Sequence, residues 1–222
     1  MPTNVLVVAP HPDDETIGAG GTIAKHSSQG DQVTVLVVSG HLPPLYERGH
    51  YEQTVREAEK AFRELGVQRS RFLEIPTGMI DTQPPGALNA QIASMVEELE
   101  PEIVLCPFPD RHIDHRLVFD SVMVATRPRG AGRQIRLLAA YETLSQTHWL
   151  APSIEANFTP NFVVDVSGSI ERKLKAVRYY ESQIPAFPDA RSVEAIEALA
   201  KFRGTQAGFA FGEAFQIIRM IR

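Results

Sequence analysis

VVAPHPDDETIGAGG, running from Val7 to Gly21, holds the turn on which the fold depends. An apolar run stops, and His11, Asp13, Asp14 and Glu15 follow within five residues. Gly18, Gly20 and Gly21 come next. The run itself, NVLVVAP (4–10), is apolar on both of its alternating faces, the pattern of a strand buried in a parallel sheet. The acids then open a helix, where the dipole favours negative charge. The glycines let that helix lie close against the sheet. A nucleotide-binding fold would carry G-x-G-x-x-G in this place, but an acidic turn repels a pyrophosphate. A turn with one histidine and three acids suits a cation instead.

The same strand pattern recurs at QVTVLVVSG (32–40), RFLEIP (71–76), EIVLCPFP (102–109), RLLAAYET (136–143) and NFVVDVS (161–167). Helical stripes lie between these runs. Val55, Ala58, Phe62 and Leu65 share one face, with Gly66 placed to cap the helix end. Leu88, Ile92, Met95 and Leu99 share another, stopped by Pro101. A third passes through Ile170, Leu174 and Val177. Strand alternating with helix predicts an α/β fold, Rossmann-like and doubly wound, with a mostly parallel sheet and helices on both faces. No repeat or linker divides the chain, so residues 1–222 are expected to form a single domain. The irregular stretch 144–160 and the Pro-rich QIPAFPDA (183–190) are placed to line a pocket.

Composition narrows the class. The chain has 222 residues, a net charge of −5 and 43% hydrophobic residues, ordinary for a globular protein. Without a block of lysine and arginine it offers no groove for nucleic acid. Its apolar runs are too short for a signal segment or a membrane span. One cysteine, Cys106, allows no intrachain disulfide. These features predict a cytoplasmic protein acting on a small molecule, with neither nucleic acid nor membrane as partner and with a homo-oligomer compatible.

A cation needs more ligands than one turn supplies. The second cluster is PDRHIDHR (109–116), again just past a strand. The two clusters follow the first and fourth strands. In the common doubly wound order those strands are neighbours, and the crevice between them is where ligands bind. Catalytic zinc takes three protein ligands and leaves a position for water. His11, Asp14 and one histidine of the second cluster would supply them. Asp13 would then face that water as a proton acceptor, and the His112–Asp114 pair would be an acid-oriented imidazole that stabilises an oxyanion. Iron(II) or cobalt(II) would also suit such a donor set.

PHPDDE (10–15) together with HIDH (112–115) resembles the LmbE/PIG-L family of zinc-dependent N-deacetylases. REAEKAFRELGV (56–67), YET (141–143), SQ (182–183) and RGTQAGFAFGEAF (203–215) resemble its recurring segments as well. The resemblance implies His11, Asp14 and His115 as zinc ligands. It implies Asp13 as general base, then as the acid that protonates the departing amine. His112 would be the electrophilic histidine, positively charged and oriented by Asp114. Family substrates are N-acetylglucosaminyl compounds and related amides. Arg56 falls where some relatives contact substrate with an arginine. Relatives often carry Asp-Gly after the third strand, where this chain has Thr77-Gly78.

Removal of acetyl from an N-acetylated amino sugar is therefore the expected activity. A zinc amidase for larger acyl amides or thiol conjugates is the nearest alternative. A non-catalytic metal-containing binding protein is a third, although an unligated acid such as Asp13 has no use in a closed structural site. Glu15 is expected to orient a helix end or a ligand. His26, His50 and His148 are expected at the surface, His41 at a pocket border, Cys106 in the core and Trp149 in a loop.

Overall fold

The structure is a computed structural model and describes residues 2–84, 86–149, 151 and 156–222. Seven strands, β1 (Asn4–Ala9), β2 (Gln32–Gly40), β3 (Arg69–Pro76), β4 (Ile103–Pro107), β5 (Leu137–Tyr141), β6 (Phe162–Asp165) and β7 (Gly212–Met220), form one sheet. Its order is β3-β2-β1-β4-β5-β7-β6. The first five strands are parallel, and β7 enters antiparallel between β5 and β6. Helices α1 (Asp14–Ser28), α2 (Arg48–Leu65), α3 (Ala87–Leu99), α4 (Ile113–Ala125), α5 (Leu144–Thr147), α6 (Ile170–Arg178) and α7 (Val193–Thr205) surround it. No described helix is long and apolar enough to cross a membrane.

Strand alternation divides the apolar side chains between two cores. Val5, Val7 and Ala9 of β1 face one side, joined by Val33, Val35 and Val37 of β2. Ala58, Phe62 and Leu65 of α2 cover them with Ala19 and Ile23 of α1. Leu6 and Val8 face the other side with Leu36, Val38, Val104 and Cys106. Ile92 and Met95 of α3 and Val118 and Val122 of α4 close that layer. Full burial of a side chain such as Leu36 contributes about 1.5–3 kcal/mol, which explains continuous apolar runs in the central strands. As expected, Gly66 ends α2 in the left-handed region, at φ 77°.

All six expected strands and the three expected helical stripes are present. The sequence reading identifies neither β7 nor α4, α5 and α7. The strand order puts β1 beside β4, with Val5, Leu6 and Val7 opposite Ile103, Val104 and Leu105. β2 lies on the far side of β1, so the chain reverses its winding between β1 and β4. The crevice at their carboxyl ends is the switch point of the sheet. Gly18 brings α1 hard against the end of β5. A Cβ there would collide with the Tyr141 ring and lie 2.8 Å from the Glu142 carbonyl oxygen.

Candidate active site

The first cluster starts α1 and the second starts α4. Asp14 and Glu15 occupy the first turn of α1. Asp13, just before it, adopts φ 115°, a conformation an L-residue rarely takes. Its carbonyl accepts from Thr16 N at 3.0 Å and Ile17 N at 2.8 Å, so the strained backbone is held in place. Backbone strain of this kind concentrates at functional sites. His112 caps α4, its Nδ1 accepting from the Asp114 N–H at 3.1 Å. Two helix starts on neighbouring parallel strands thus bring residues a hundred positions apart into contact.

Three donor atoms converge. Asp14 Oδ2 lies 3.1 Å from His11 Nδ1 and 3.2 Å from His115 Nε2. An ion with ligand bonds of about 2.0–2.1 Å in a tetrahedral arrangement separates its ligands by about 3.3 Å. The far nitrogen of each ring is tied to a carboxylate. His11 Nε2 is 2.8 Å from Asp114 Oδ2, and His115 Nδ1 is 2.9 Å from Asp110 Oδ2. Those bonds fix the rings and leave the near nitrogens as lone pairs, the arrangement that accompanies metal-ligating histidines. Beyond its contact with Asp14, the buried His115 Nε2 has no hydrogen-bond partner among the described residues, and a cation would satisfy it. Burial opposes a proton on His115, but the Asp14 charge and the Asp110 bond raise its pKa to about 10. A proton held so strongly marks high negative potential, which also attracts a divalent ion. The residues present therefore fit a metal.

His112 completes a group of three histidines whose ring nitrogens lie within 4.8 Å of one another and could hold a metal ion. Asp14 competes with His112 for the third place in that shell. The Asp14 oxygen lies 3.1 and 3.2 Å from the His11 and His115 nitrogens, the spacing of ligands around one ion. With Nδ1 accepting a backbone proton, the neutral His112 ring carries its own proton on Nε2 and offers no lone pair there.

One sequence expectation is corrected here. Asp114 does not orient His112 through its carboxylate. That group turns away to accept from His11, from Thr77 Oγ1 at 3.1 Å and from Gly78 N at 2.8 Å. The first turn of α4 offers His112 the Asp114 amide instead, and Asp110 Oδ1 accepts the His112 N–H at 3.0 Å. Burial, with the His11 and His115 charges, pushes the His112 pKa down to about 4.

The two adjacent acids are driven apart. Burial and the Asp14 charge push Asp13 up to about 7, against the pull of Arg191. Burial also opposes the Asp14 carboxylate, but His115 and His11 outweigh it and hold Asp14 well below the usual carboxylate range. Neighbouring titratable groups with separated pKa values are the pattern of an acid/base group beside a fixed anion. Arg191 Nη1 lies 3.1 Å from Asp13 Oδ2, a contact the sequence reading did not foresee.

The cavity over these residues has a volume of about 170 Å³. His11, Asp13, Asp14, Thr77, His112 and His115 line its floor and walls, with His41, Tyr46, Gln146, Gln183 and Arg191 among its other lining residues. The segments 41–51, 144–160 and 183–190 therefore all reach it or its border, although residues 150 and 152–155 lie outside the described residues. Arg56 does not reach it, lying on the exposed face of α2. Glu15 accepts from Tyr180 Oη at 2.6 Å and Thr16 Oγ1 at 2.7 Å, joining α1 to the segment after α6. His26 pairs with Asp31 and His148 with Glu142, Cys106 is buried in the core, and Trp149 is exposed beside Arg111.

Comparison with known proteins gives the same picture. The chain is 30% identical over 229 positions to the diacetylchitobiose deacetylase of Thermococcus kodakarensis, spanning 96% of this chain and 82% of that protein. It is 28% identical over 261 positions to the 1D-myo-inositol 2-acetamido-2-deoxy-alpha-D-glucopyranoside deacetylase of Saccharomonospora viridis, spanning 92% and 97%. The solved N,N'-diacetylchitobiose deacetylase of Pyrococcus horikoshii, in complex with an inhibitor, superposes with a TM-score of 0.75 at 25% identity, over 97% of this chain and 84% of that one. The family model PIG-L, described as GlcNAc-PI de-N-acetylase, matches residues 6–126, which contain both clusters. By that match, over more than half its length, the chain belongs to the PIG-L family.

Proposed function

We propose that this protein is a metal-dependent N-deacetylase that hydrolyses the acetamide of an N-acetylglucosamine-type sugar, releasing acetate and the free amine. The observation that carries the reading is one unligated carboxylate, Asp13, beside a three-atom ligand set at the floor of a small cavity. The relatives named above are deacetylases of diacetylchitobiose and of an N-acetylglucosaminyl inositol, which share an N-acetylglucosamine unit and differ in what it is joined to. A cavity of about 170 Å³ is small beside ligand pockets of about 300–1,000 Å³. It has room for an acetamido group with part of a sugar ring, which favours acetyl over a larger acyl chain.

His11, Asp14 and His115 are assigned as ligands, and zinc is the assigned ion. When bound, it supplies Lewis acidity to the amide carbonyl and to water, whose pKa such an ion lowers to about 7. Asp13 takes the proton from the attacking water as its oxygen adds to the carbonyl carbon. It then delivers that proton to the nitrogen as the C–N bond breaks, so the amine leaves neutral. A carboxyl near pKa 7 can carry a proton both ways. His112, neutral with its proton on Nε2, donates to the carbonyl oxygen as negative charge develops there. Asp110 and Asp114 hold the two ligand histidines in their tautomers. The machinery is proposed to lie on one domain.

The test is product analysis with metal-loaded protein and N-acetylglucosamine, N,N'-diacetylchitobiose and an N-acetylglucosaminyl inositol. Acetate and primary amine should appear in equal amounts from at least one. Absence of both from every sugar overturns the reading. His112→Ala should lower kcat by about 10²–10³-fold on the best substrate, the usual cost of losing an oxyanion donor. Unchanged kcat would remove His112 from the mechanism.

A further inference from the structure

Asp13 is buried, with 3% of its surface exposed, and its backbone is locked in a strained conformation. Its main-chain N–H faces Glu15 Oε2 at 3.4 Å, and its carbonyl is held by α1. The carboxylate alone keeps freedom to rotate. Among the described residues one side chain donates to it, that of Arg191, at 3.1 Å. We propose that Arg191 is the positioning residue for Asp13, aiming the carboxylate into the cavity, and that it belongs to this chain's catalytic apparatus although it lies outside the matched segment 6–126. The inference rests on the reading of Asp13 as the group that moves the proton.

The arm carrying Arg191 is built to hold a position. Arg191 N–H donates to Asp189 Oδ1 at 2.8 Å, closing a tight turn. The next residue, Ser192, is fully buried and caps α7, its Oγ accepting from Ala195 N at 3.2 Å. At its other end α7 is anchored by Arg203, whose Nε and Nη2 donate to the two Glu142 oxygens at 2.8 and 2.7 Å. Glu142 directly follows β5. The guanidinium therefore hangs from a helix tied back to the same sheet that carries both clusters. A planar, delocalised cation is suited to fixing a carboxylate in one orientation, and a lysine is a poorer substitute at such a contact.

Arg191 also lines the cavity, with 32% of its side chain exposed. A substrate-binding arginine would have the same exposure, so the experiment must separate the two roles. It uses full-length, metal-loaded protein and compares wild type, Arg191→Ala, Arg191→Lys, Asp13→Asn and the Asp13→Asn/Arg191→Ala pair. Metal content and Tm are measured alongside kcat and KM. Arg191→Ala should lower kcat by about 10- to 10²-fold, the effect of losing a charge-assisted hydrogen bond, with KM and metal content unchanged. Arg191→Lys should recover part of that loss. In the Asp13→Asn background, removing Arg191 should change kcat by less than about twofold, because residues acting through one another are not additive.

A raised KM with kcat intact would overturn the proposal in favour of substrate binding. So would an undiminished Arg191 effect when Asp13 is already replaced. If Arg191→Ala lowers Tm sharply, Arg191→Gln, which keeps the side-chain length, supplies the same kcat and KM readout. Wild-type activity in Asp13→Asn alone would instead overturn the role of Asp13, and that result is read with Arg191 in place.

Discussion

Asp13→Ala should keep its metal and lose turnover by about 10²–10⁴-fold, the usual range for removing a general base. The separation of the two effects follows from where each acid points. The Asp14 oxygen faces two histidine nitrogens, whereas the Asp13 carboxylate faces Arg191 and the cavity. Removing Asp13 takes no atom from the proposed ligand set. It removes the one described carboxylate that lines the cavity outside that set. His112 is a poor replacement, because its Nδ1 already accepts the Asp114 N–H and its neutral Nε2 carries a proton. Metal analysis after dialysis and kcat on one substrate check both halves. Near-wild-type kcat would overturn the assignment, and loss of metal would place Asp13 among the ligands.

The position of the site was legible because parallel sheets impose it. A strand buried on both faces reads as a continuous apolar run, and the residues after two such runs must lie at one sheet edge. His11, Asp13, Asp14, His112, Asp114 and His115 could be gathered on that ground alone. Which carboxylate serves which ring was not legible. Asp110 and Asp114 each lie two positions from His112, and spacing does not say which way either turns. The start of α4 decides it, directing the Asp114 carboxylate to His11 and leaving Asp110 to His115. Arg191 was hidden for a different reason, since it meets Asp13 from 178 residues away.

The C-terminal elements were obscured by buried charge. β7 carries Glu213, which is 3% exposed and pairs with Lys173 at 2.6 Å. It also accepts from the Gly21 and Thr22 amides. A buried glutamate breaks the apolar run by which the other strands were recognised. α7 likewise buries Arg203 against Glu142 on the face that holds Ile196 and Ala200. In both elements an ion pair stands where the periodicity argument looks for an aliphatic side chain. Arg56 shows the converse limit. Its helix was correctly placed, yet the position is exposed and is not among the residues lining the cavity.

Asp14→Ala and His115→Ala should both lose metal on dialysis, while His112→Ala should keep it. This set of three decides between the two ligand triads that the geometry allows. If the ion were held by His11, His112 and His115, then Asp14→Ala would retain it and His112→Ala would not. The distances favour Asp14, whose Oδ2 lies 3.1 and 3.2 Å from the two other donor atoms, close to the edge of a tetrahedral shell. Each substitution leaves only two protein ligands of three, so retention at full stoichiometry is not expected. Activity should fall to background in both ligand variants, because the Lewis acid and the polarised water are lost together. Asp110→Asn adds a graded control. The His115 Nδ1–H would lose its charged acceptor while every ligand remains, and metal affinity should weaken by about 10- to 100-fold. Full retention in His115→Ala would overturn the ligand assignment outright. An unchanged affinity in Asp110→Asn would leave the ligands standing and show instead that Thr147, whose Oγ1 donates to Asp110 at 3.0 Å, and the walls of the buried site hold the His115 ring without that charge.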